Sequence, residues 1–275
     1  MLEDEFADIL KKAQRGTGLD TQTLARQSGL TASLISDWGA GKSVPDDTQA
    51  RALASALGMN PSKFADAAAE RWHPEPIERS GVRHHPQNPH PSNGYVFFFE
   101  GSLRAALVDP AGVPGNLLDI LHDGKYHLEY ILITHKHADH CDATPQIAQA
   151  FPDAKIVMHE SDIAAIGNLG GNALRVKDGE DLSFGDDVRI RMLHTPGHTD
   201  GSSSFLFRSA VFTGDTLFAG SVGGAYGDAS TYEDILNSVT SKLFTLPDET
   251  VVMPGHGPPS KIGWEKTHNP FFSIP

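Results

Sequence analysis

Seven residues, Thr134-His135-Lys136-His137-Ala138-Asp139-His140, follow directly on the apolar stretch Tyr130-Ile131-Leu132-Ile133. A short apolar run closed by a polar cluster reads as a buried strand, so the fold must carry three imidazoles and a carboxylate to the rim of a sheet. A metal held there keeps one side open to substrate. Alone, the run would also suit a solvated histidine-rich loop. Three later segments repeat the pattern of apolar run, glycine turn and donor: Thr195-Pro196-Gly197-His198-Thr199, Ala210-Val211-Phe212-Thr213-Gly214-Asp215-Thr216, and Thr250-Val251-Val252-Met253-Pro254-Gly255-His256-Gly257-Pro258. Glycine beside each donor lets the backbone turn sharply and leaves room for a ligand. Four segments built alike predict one metal site made of His135, His137, Asp139, His140, His198, Asp215 and His256.

In this order the motifs resemble the metallo-β-lactamase superfamily. The ending Gly255-His256-Gly257-Pro258, followed by Lys261-Ile262-Gly263-Trp264-Glu265-Lys266 and Asn269-Pro270-Phe271, is similar to its glyoxalase II-like branch. The resemblance spans residues 93–272 and implies an α/β fold, the four-layer αββα sandwich. It also implies that His135, His137 and His198 hold one metal, that Asp139, His140 and His256 hold a second, and that Asp215 bridges them. Two divalent ions are the implied cofactors, zinc foremost, with iron or manganese as the alternatives that His/Asp donors also accept. Five neutral imidazoles and two carboxylates leave net positive charge on two such ions, which lowers the pKa of bound water from near 16 to about 7. A bridging hydroxide would attack a carbonyl carbon, Asp139 would orient it as the catalytic carboxylate, and the second ion would stabilise a leaving thiolate.

The implied activity is a glyoxalase II-like thioesterase with a small acyl thioester as substrate. Three other readings share the residues. A mononuclear iron persulfide dioxygenase would use only His135, His198 and Asp215. A lactonase or β-lactamase would want a tyrosine near the bridging carboxylate, where Leu217-Phe218 stand and Tyr226 serves only if its loop folds inward. A metal- or metabolite-responsive DNA-binding regulator would use the site as a sensor. The chain departs from both thiol branches in Gly220-Ser221-Val222-Gly223-Gly224-Ala225-Tyr226-Gly227-Asp228, where relatives carry Gly-Arg-Thr-Asp. Lys261 and Lys266 are then the candidates for contacting an anionic thiol, against a bland reading as solvated surface lysines.

Residues 1–70 form a different object. Phe6, Ile9, Leu10 and Ala13 share one face of a helix within Leu2 to Gln14. Thr23 to Trp38 then reads as helix, a turn at Ser28-Gly29, a cap at Thr31 and a second helix with Leu34, Ile35 and Trp38 inward. Pro45 opens a further helical region, and Asn60-Pro61 reads as cap and first position of the last helix. The pattern resembles the small five-helix helix-turn-helix domain of the Cro/repressor-like family. DNA contact would run through residues 20–45, with Ser33, Ser36, Arg26 and Lys42 as the groove and phosphate contacts. Seven Lys/Arg stand against ten Asp/Glu in residues 1–70, though, the reverse of what phosphate binding demands. The competing reading is a docking or homodimerisation module.

Residues 71–92, rich in proline and histidine, are expected to be an extended linker, and residues 93–275 the catalytic domain. A single cysteine, Cys141, excludes an intrachain disulfide and is read as a packing residue. No apolar run approaches the roughly 20 residues of a membrane span, and the acidic start is unlike a signal peptide, so the expected setting is cytoplasmic with no membrane partner. Strands are expected at Tyr95–Glu100, Ala105–Val108, Glu129–Thr134, Lys155–Met158, Val188–Leu193, Ser203–Phe207, Ala210–Thr213 and Thr250–Met253. Helices are expected at Val113–Leu121, Thr144–Ala150, Asp162–Ile166 and Tyr232–Phe244. Asp109 is read as a turn former or as a partner behind the ligands.

Overall fold

The computed structural model describes residues 2–78, 81–86, 91–98, 101–185, 188–226 and 230–273. Five helices come first: α1 (Phe6–Thr17), α2 (Thr21–Ser28), α3 (Ala32–Gly39), α4 (Asp47–Leu57) and α5 (Pro61–Ala68). Their starts follow from local chemistry. The side chains of Asp20, Thr31, Asp46 and Asn60 accept from otherwise unpaired amides of the first turn, and Pro61 occupies the position where no N–H is needed. Gly18, Gly29 and Gly58 end their helices in the left-handed conformation.

The first sheet runs β1 (Val82–Pro86), β2 (Asn93–Phe98), β3 (Arg104–Val108), β4 (His127–Leu132), β5 (Lys155–Val157) in that order, antiparallel as far as β3 and parallel from β3 to β5. Helix α6 (Gly115–Asp123) joins β3 to β4; α7 (Ala138–Cys141) and α8 (Thr144–Ala150) join β4 to β5. A 3₁₀ stretch at Ile163–Gly171 leads to β6 (Asp181–Ser183), β7 (Arg189–His194), β8 (Ser203–Phe207) and β9 (Ala210–Gly214). A hairpin of β10 (Leu217–Phe218) and β11 (Ser221–Val222) and helix α9 (Tyr232–Ser241) come next. The chain closes with β12 (Val251–Pro254), β13 (Ser260–Lys261) and α10 (Ile262–His268). The second sheet has the order β6-β7-β8-β9-β12-β13, and its β9–β12 pair is parallel.

Strand alternation sorts the side chains into layers. Tyr95, Phe97, Ala106, Val108, Tyr130 and Leu132 meet Phe184, Met192, Phe205, Phe212 and Met253 between the sheets. The intervening Val96, Leu107, Ile131 and Ile133 face α6 and α8 through Leu117, Leu121 and Ile147. On the other side Val211 and Val252 face α9 and α10 through Ile235, Val239 and Ile262, and this layer is continuous with the core of the five N-terminal helices, including Phe6, Leu10, Trp38 and Phe64. The result is the αββα sandwich with an all-helical layer added to one side.

One expectation needs correction. Val82–Pro86, inside the stretch read as an extended linker, pairs with β2 as the edge strand of the first sheet. Its proline stands last in an edge strand, where a missing N–H costs no ladder bond. Gln87 to His90 and Glu100 lie outside the described residues. Helix α9 is shorter than expected, giving way to a 3₁₀ turn at Leu243–Thr245.

Candidate metal centre

Four strand ends converge on one edge. Residue Leu132 of β4 leads into the His135–His140 segment, β7 into the His198 turn, β9 into Asp215 and β12 into His256. Parallel pairing sets Gly214 opposite Pro254, which places Asp215 and His256 side by side. Gly255 between them has to be bare, because a Cβ there would overlap Asp215 Oδ1 and His140 Cε1.

Three overlapping donor triads result: His135, His137, His198; His135, His140, Asp215; and Asp139, His140, His256, each with its ligand atoms within 4.8 Å of one another. In the first, His137 Nδ1 lies 3.1 Å from His135 Nε2 and 2.8 Å from His198 Nε2. In the last, His140 Nε2 and His256 Nε2 are 3.3 Å apart, with Asp139 Oδ2 3.7 Å and 3.4 Å from them. Asp215 stands between: its Oδ1 is 3.4 Å from His140 Nε2, and its Oδ2 is 3.4 Å from His198 Nε2 and 3.5 Å from His256 Nε2.

The bonds behind the rings test whether this donor set fits cations. Nδ1 of His198 can only donate to the Gly224 carbonyl (2.6 Å), and Nδ1 of His256 can only donate to the Pro91 carbonyl (3.0 Å). His140 Nδ1 donates to Asp109 Oδ2 (3.0 Å). Thr134 Oγ1 gives its proton to the same Asp109 oxygen (2.7 Å) and so accepts from His135 Nδ1 (3.0 Å). In the neutral rings all four Nε2 atoms therefore carry lone pairs, and these face one another and two carboxylates at contact distance. Asp215 Oδ1 is buried without a hydrogen-bond partner. Such an arrangement repels itself unless positive charge lies among the donors, and the outward-fixed tautomers are those of metal-ligating histidines. The residues fit divalent ions.

Charge follows the same logic. Burial works against ionising Asp215, yet His140, His198 and His256 hold its pKa below the ordinary carboxylate value. Asp139, about a third exposed at the mouth of the cleft, is held well below the carboxylate range by its interaction with the His256 imidazole 3.4 Å away. Desolvation and the neighbouring imidazoles drive His135 far below its usual value, keeping it neutral as a ligand must be.

Two aspartates stand behind the ligands, and the sequence pointed to only one of them. Asp109, expected as a turn former or backing group, does both. Its φ of 51° is left-handed, and Oδ1 accepts from the Thr134 amide at 2.8 Å while Oδ2 serves one donor of each outer triad. Asp162, assigned only to a helix start, is fully buried and accepts from the Lys136 amide (3.1 Å) and Thr199 Oγ1 (2.6 Å), tying the first histidine segment to the His198 turn. Nothing in the sequence around Asp162 signals this role. Cys141 is buried, its Sγ donates to the His137 carbonyl (3.3 Å), and burial pushes its thiol up to about 12, in keeping with packing.

The remaining candidates scatter. Tyr226 stands edge-on to His198, 5.7 Å between ring centroids, while about half of it stays exposed. Lys261 does not reach the centre: it pairs with Val251, at the opposite end of β12 from His256, and forms an ion pair with Glu249 at 2.7 Å. Lys266 lies on α10, paired with Asp248 at 2.7 Å. The sequence placed both lysines near the last histidine, but strand register carries them away from it. On α2 and α3, Ser33 and Ser36 are exposed, Arg26 donates to Thr23 Oγ1 and Lys42 is paired with Asp37 at 3.0 Å.

An αββα sandwich with a His/Asp cleft at its strand ends defines a class of metal-dependent hydrolase fold. The sequence profile of the Metallo-beta-lactamase superfamily matches residues 89–256, and the chain belongs to that superfamily. It is 32% identical over 192 residues to hydroxyacylglutathione hydrolase GloC of Haemophilus influenzae, covering 64% of this chain and 90% of that protein. Among solved structures it is similar to ETHE1 from Myxococcus xanthus, at 30% identity and a TM-score of 0.60 over 69% of this chain and 83% of that one. It also resembles TTHA1623 in a di-iron-bound form, at 28% identity and a TM-score of 0.58 over 73% and 100%. Helices α1–α5 precede the matched region. Among the described residues no helix is long and apolar enough to cross a membrane.

Proposed function

We propose that the protein is a dinuclear metal-dependent thioesterase, with zinc as the first candidate metal. The observation that carries this reading is the position of Asp215, whose carboxylate lies within 3.5 Å of His198 in one donor triad and of His140 and His256 in the other, so that it could serve ions held by both. When bound, two divalent ions supply the Lewis acidity that ionises water near neutral pH and polarises a carbonyl. His135, His137 and His198 would hold one; Asp139, His140 and His256 the other. The residues of the chain do the rest. Asp139, ionised and open to solvent, accepts a hydrogen bond from the attacking water and fixes its lone pair toward the acyl carbon. Asp109 and Thr134 keep His135 and His140 in the tautomer that presents Nε2. A C–O bond forms and the C–S bond breaks; one proton of the water leaves to solvent past Asp139 and the other ends on the thiol, leaving a carboxylate and a free thiol. The likeness to a hydroxyacylglutathione hydrolase supports a thioester over other acyl bonds.

The N-terminal helices we read as a helix-turn-helix module used for docking onto the catalytic fold. The Lys42–Asp37 pair neutralises one of the cations a phosphate backbone would need, and Ser33 and Ser36 bring no positive charge.

Metal content and turnover test the proposal together. We expect about two metals per chain, thioester hydrolysis, and a loss of at least 100-fold in kcat/KM for His137→Ala. Full thioesterase activity in that variant would overturn it. A second reading draws on the likeness to ETHE1: a mononuclear iron dioxygenase acting on a thiol persulfide through His135, His198 and Asp215. One iron per chain with oxygen consumption would establish it instead.

A further inference from the structure

Helix α1 of the N-terminal module reaches the metal-centre loop. A cavity of about 250 Å³ lies between them, bounded by Lys12, Arg15 and Gly16 on one side and by Gly223, Gly224, Thr231 and Tyr232 on the other. Gly224 is the residue whose carbonyl fixes His198, so the cavity wall and the metal centre share a strip of backbone. The two cations differ in state. Lys12 is mostly buried, paired with Asp4, and donates to the Val222 carbonyl at 2.8 Å, which secures the strip leading into Gly223. Arg15 is exposed, makes no ion pair among the described residues, and lies 5.1 Å from the centre of the Tyr226 ring. Tyr226 in turn stands 5.7 Å from the His198 ring, which puts the guanidinium within about 11 Å of that imidazole. An extended carrier of about three residues spans such a distance at ~3.5 Å per residue. Thr231, the N-cap of α9, lies on the same wall, where Glu233 and Asp234 in the first turn already offset the partly positive helix end.

We propose that Arg15, laid across the face of Tyr226, binds the anionic end of the substrate's thiol carrier. The proposal rests on the thioesterase reading for what the substrate is. Its logic is electrostatic. A chain of net charge −13 repels an anionic substrate at long range, so recognition of one calls for a cation exposed near the cleft. A guanidinium already oriented on an aromatic face offers a planar fork to a carboxylate or phosphate at small entropic cost. Specificity of the metal centre would thus be supplied by the helical module, outside the superfamily-matched region.

The test uses the full-length, metal-loaded chain and its Arg15→Ala, Arg15→Lys and Lys11→Ala variants. Lys11 sits on the same helix paired with Asp8, so its loss removes one charge without touching the cavity. Calorimetry with S-methylglutathione, a carboxylate-bearing thioether that cannot be hydrolysed, should show binding about tenfold weaker in Arg15→Ala, partly restored in Arg15→Lys and unchanged in Lys11→Ala. In turnover, the preference for an acyl-glutathione over a neutral N-acetylcysteamine thioester should fall about tenfold in Arg15→Ala. If the preference lost is instead for an acyl-coenzyme A, the anion bound is a phosphate and the subsite stands. Equal binding of S-methylglutathione and coenzyme A by wild type and Arg15→Ala, or binding of neither by wild type, overturns the proposal. Binding that depends on Arg15 without any thioester turnover would keep the subsite and overturn the thioesterase reading.

Discussion

Asp109 is the residue on which both donor groups depend, and replacing it with asparagine exposes that dependence. The carboxylate accepts three bonds: the Thr134 amide on Oδ1, and Thr134 Oγ1 and His140 Nδ1 on Oδ2. Asparagine offers one oxygen for these two places. With that oxygen toward the Thr134 amide, the –NH₂ group meets the His140 N–H and the Thr134 hydroxyl. His140 must then move its proton to Nε2, where it can no longer bind a cation, and the Thr134 hydroxyl loses its reason to accept from His135. With the amide reversed, the oxygen still accepts from His140 and the Thr134 hydroxyl, though without its charge, and the buried Thr134 N–H has no acceptor, at a cost of roughly 1–3 kcal/mol. Partners behind ligating histidines are worth about 10–100-fold in metal affinity, or about 1.4–2.7 kcal/mol. Asp109→Asn should therefore lose metal to a chromophoric chelator at 10- to 100-fold lower competitor concentration. Its metal-free form should lose roughly 1–3 kcal/mol in urea denaturation. Affinity within twofold of wild type, in a chain of normal stability, would refute the tautomer argument.

Glu265 is fully buried between α10 and the Gly220 turn, and burial raises its pKa to about 7 against the pull of Asn269, Ser260, the Gly220 amide and Lys63. A carboxyl bound to its proton more tightly in the folded state adds stability below its unfolded value near 4.5, and that stability is lost as pH rises through about 7. Across this window wild type should lose about 3 kcal/mol relative to Glu265→Gln, read from denaturation midpoints between pH 4.5 and 8. A parallel pH dependence in the two proteins would show that Glu265 does not titrate in that range. Cys141, buried and with its thiol pushed up, should react with a thiol reagent only as fast as the chain opens; labelling within seconds in native buffer would contradict its packing role.

The sequence disclosed the centre because the first donor of each segment lies one to four residues beyond an apolar strand, where local pattern and spatial position coincide. Helix starts were equally legible, since Thr31 and Asn60 act on their own first turns. What stayed hidden depends on chain segments far apart. Nothing around Val82–Pro86 says that a proline-rich stretch finds an edge strand to pair with, and nothing near Asp162 says that it bridges two histidine turns. Lys261 and Lys266 looked relevant by proximity in sequence to His256. The turn after His256 carries the chain back along β12, so β13 begins from the far end of the strand. Arg15 and Tyr226, about 210 positions apart, meet only in the folded molecule.

The core shared by the helical module and the α9–α10 layer also bears on modularity. Leu10, Leu53 and Phe64 belong to the same apolar cluster as Val239 and Ile262, and the buried Lys63 ammonium donates to the carbonyls of Lys266 and Phe272 at 2.6 Å and 2.8 Å. Two bodies joined in this way should unfold in one transition, and cutting away the helices would bare the apolar face of the α9–α10 layer. Residues that contact neither metal nor substrate in the first seventy positions become conditions for the persistence of the cleft. Selection on catalysis would then act on them as strongly as on the ligands' own neighbours.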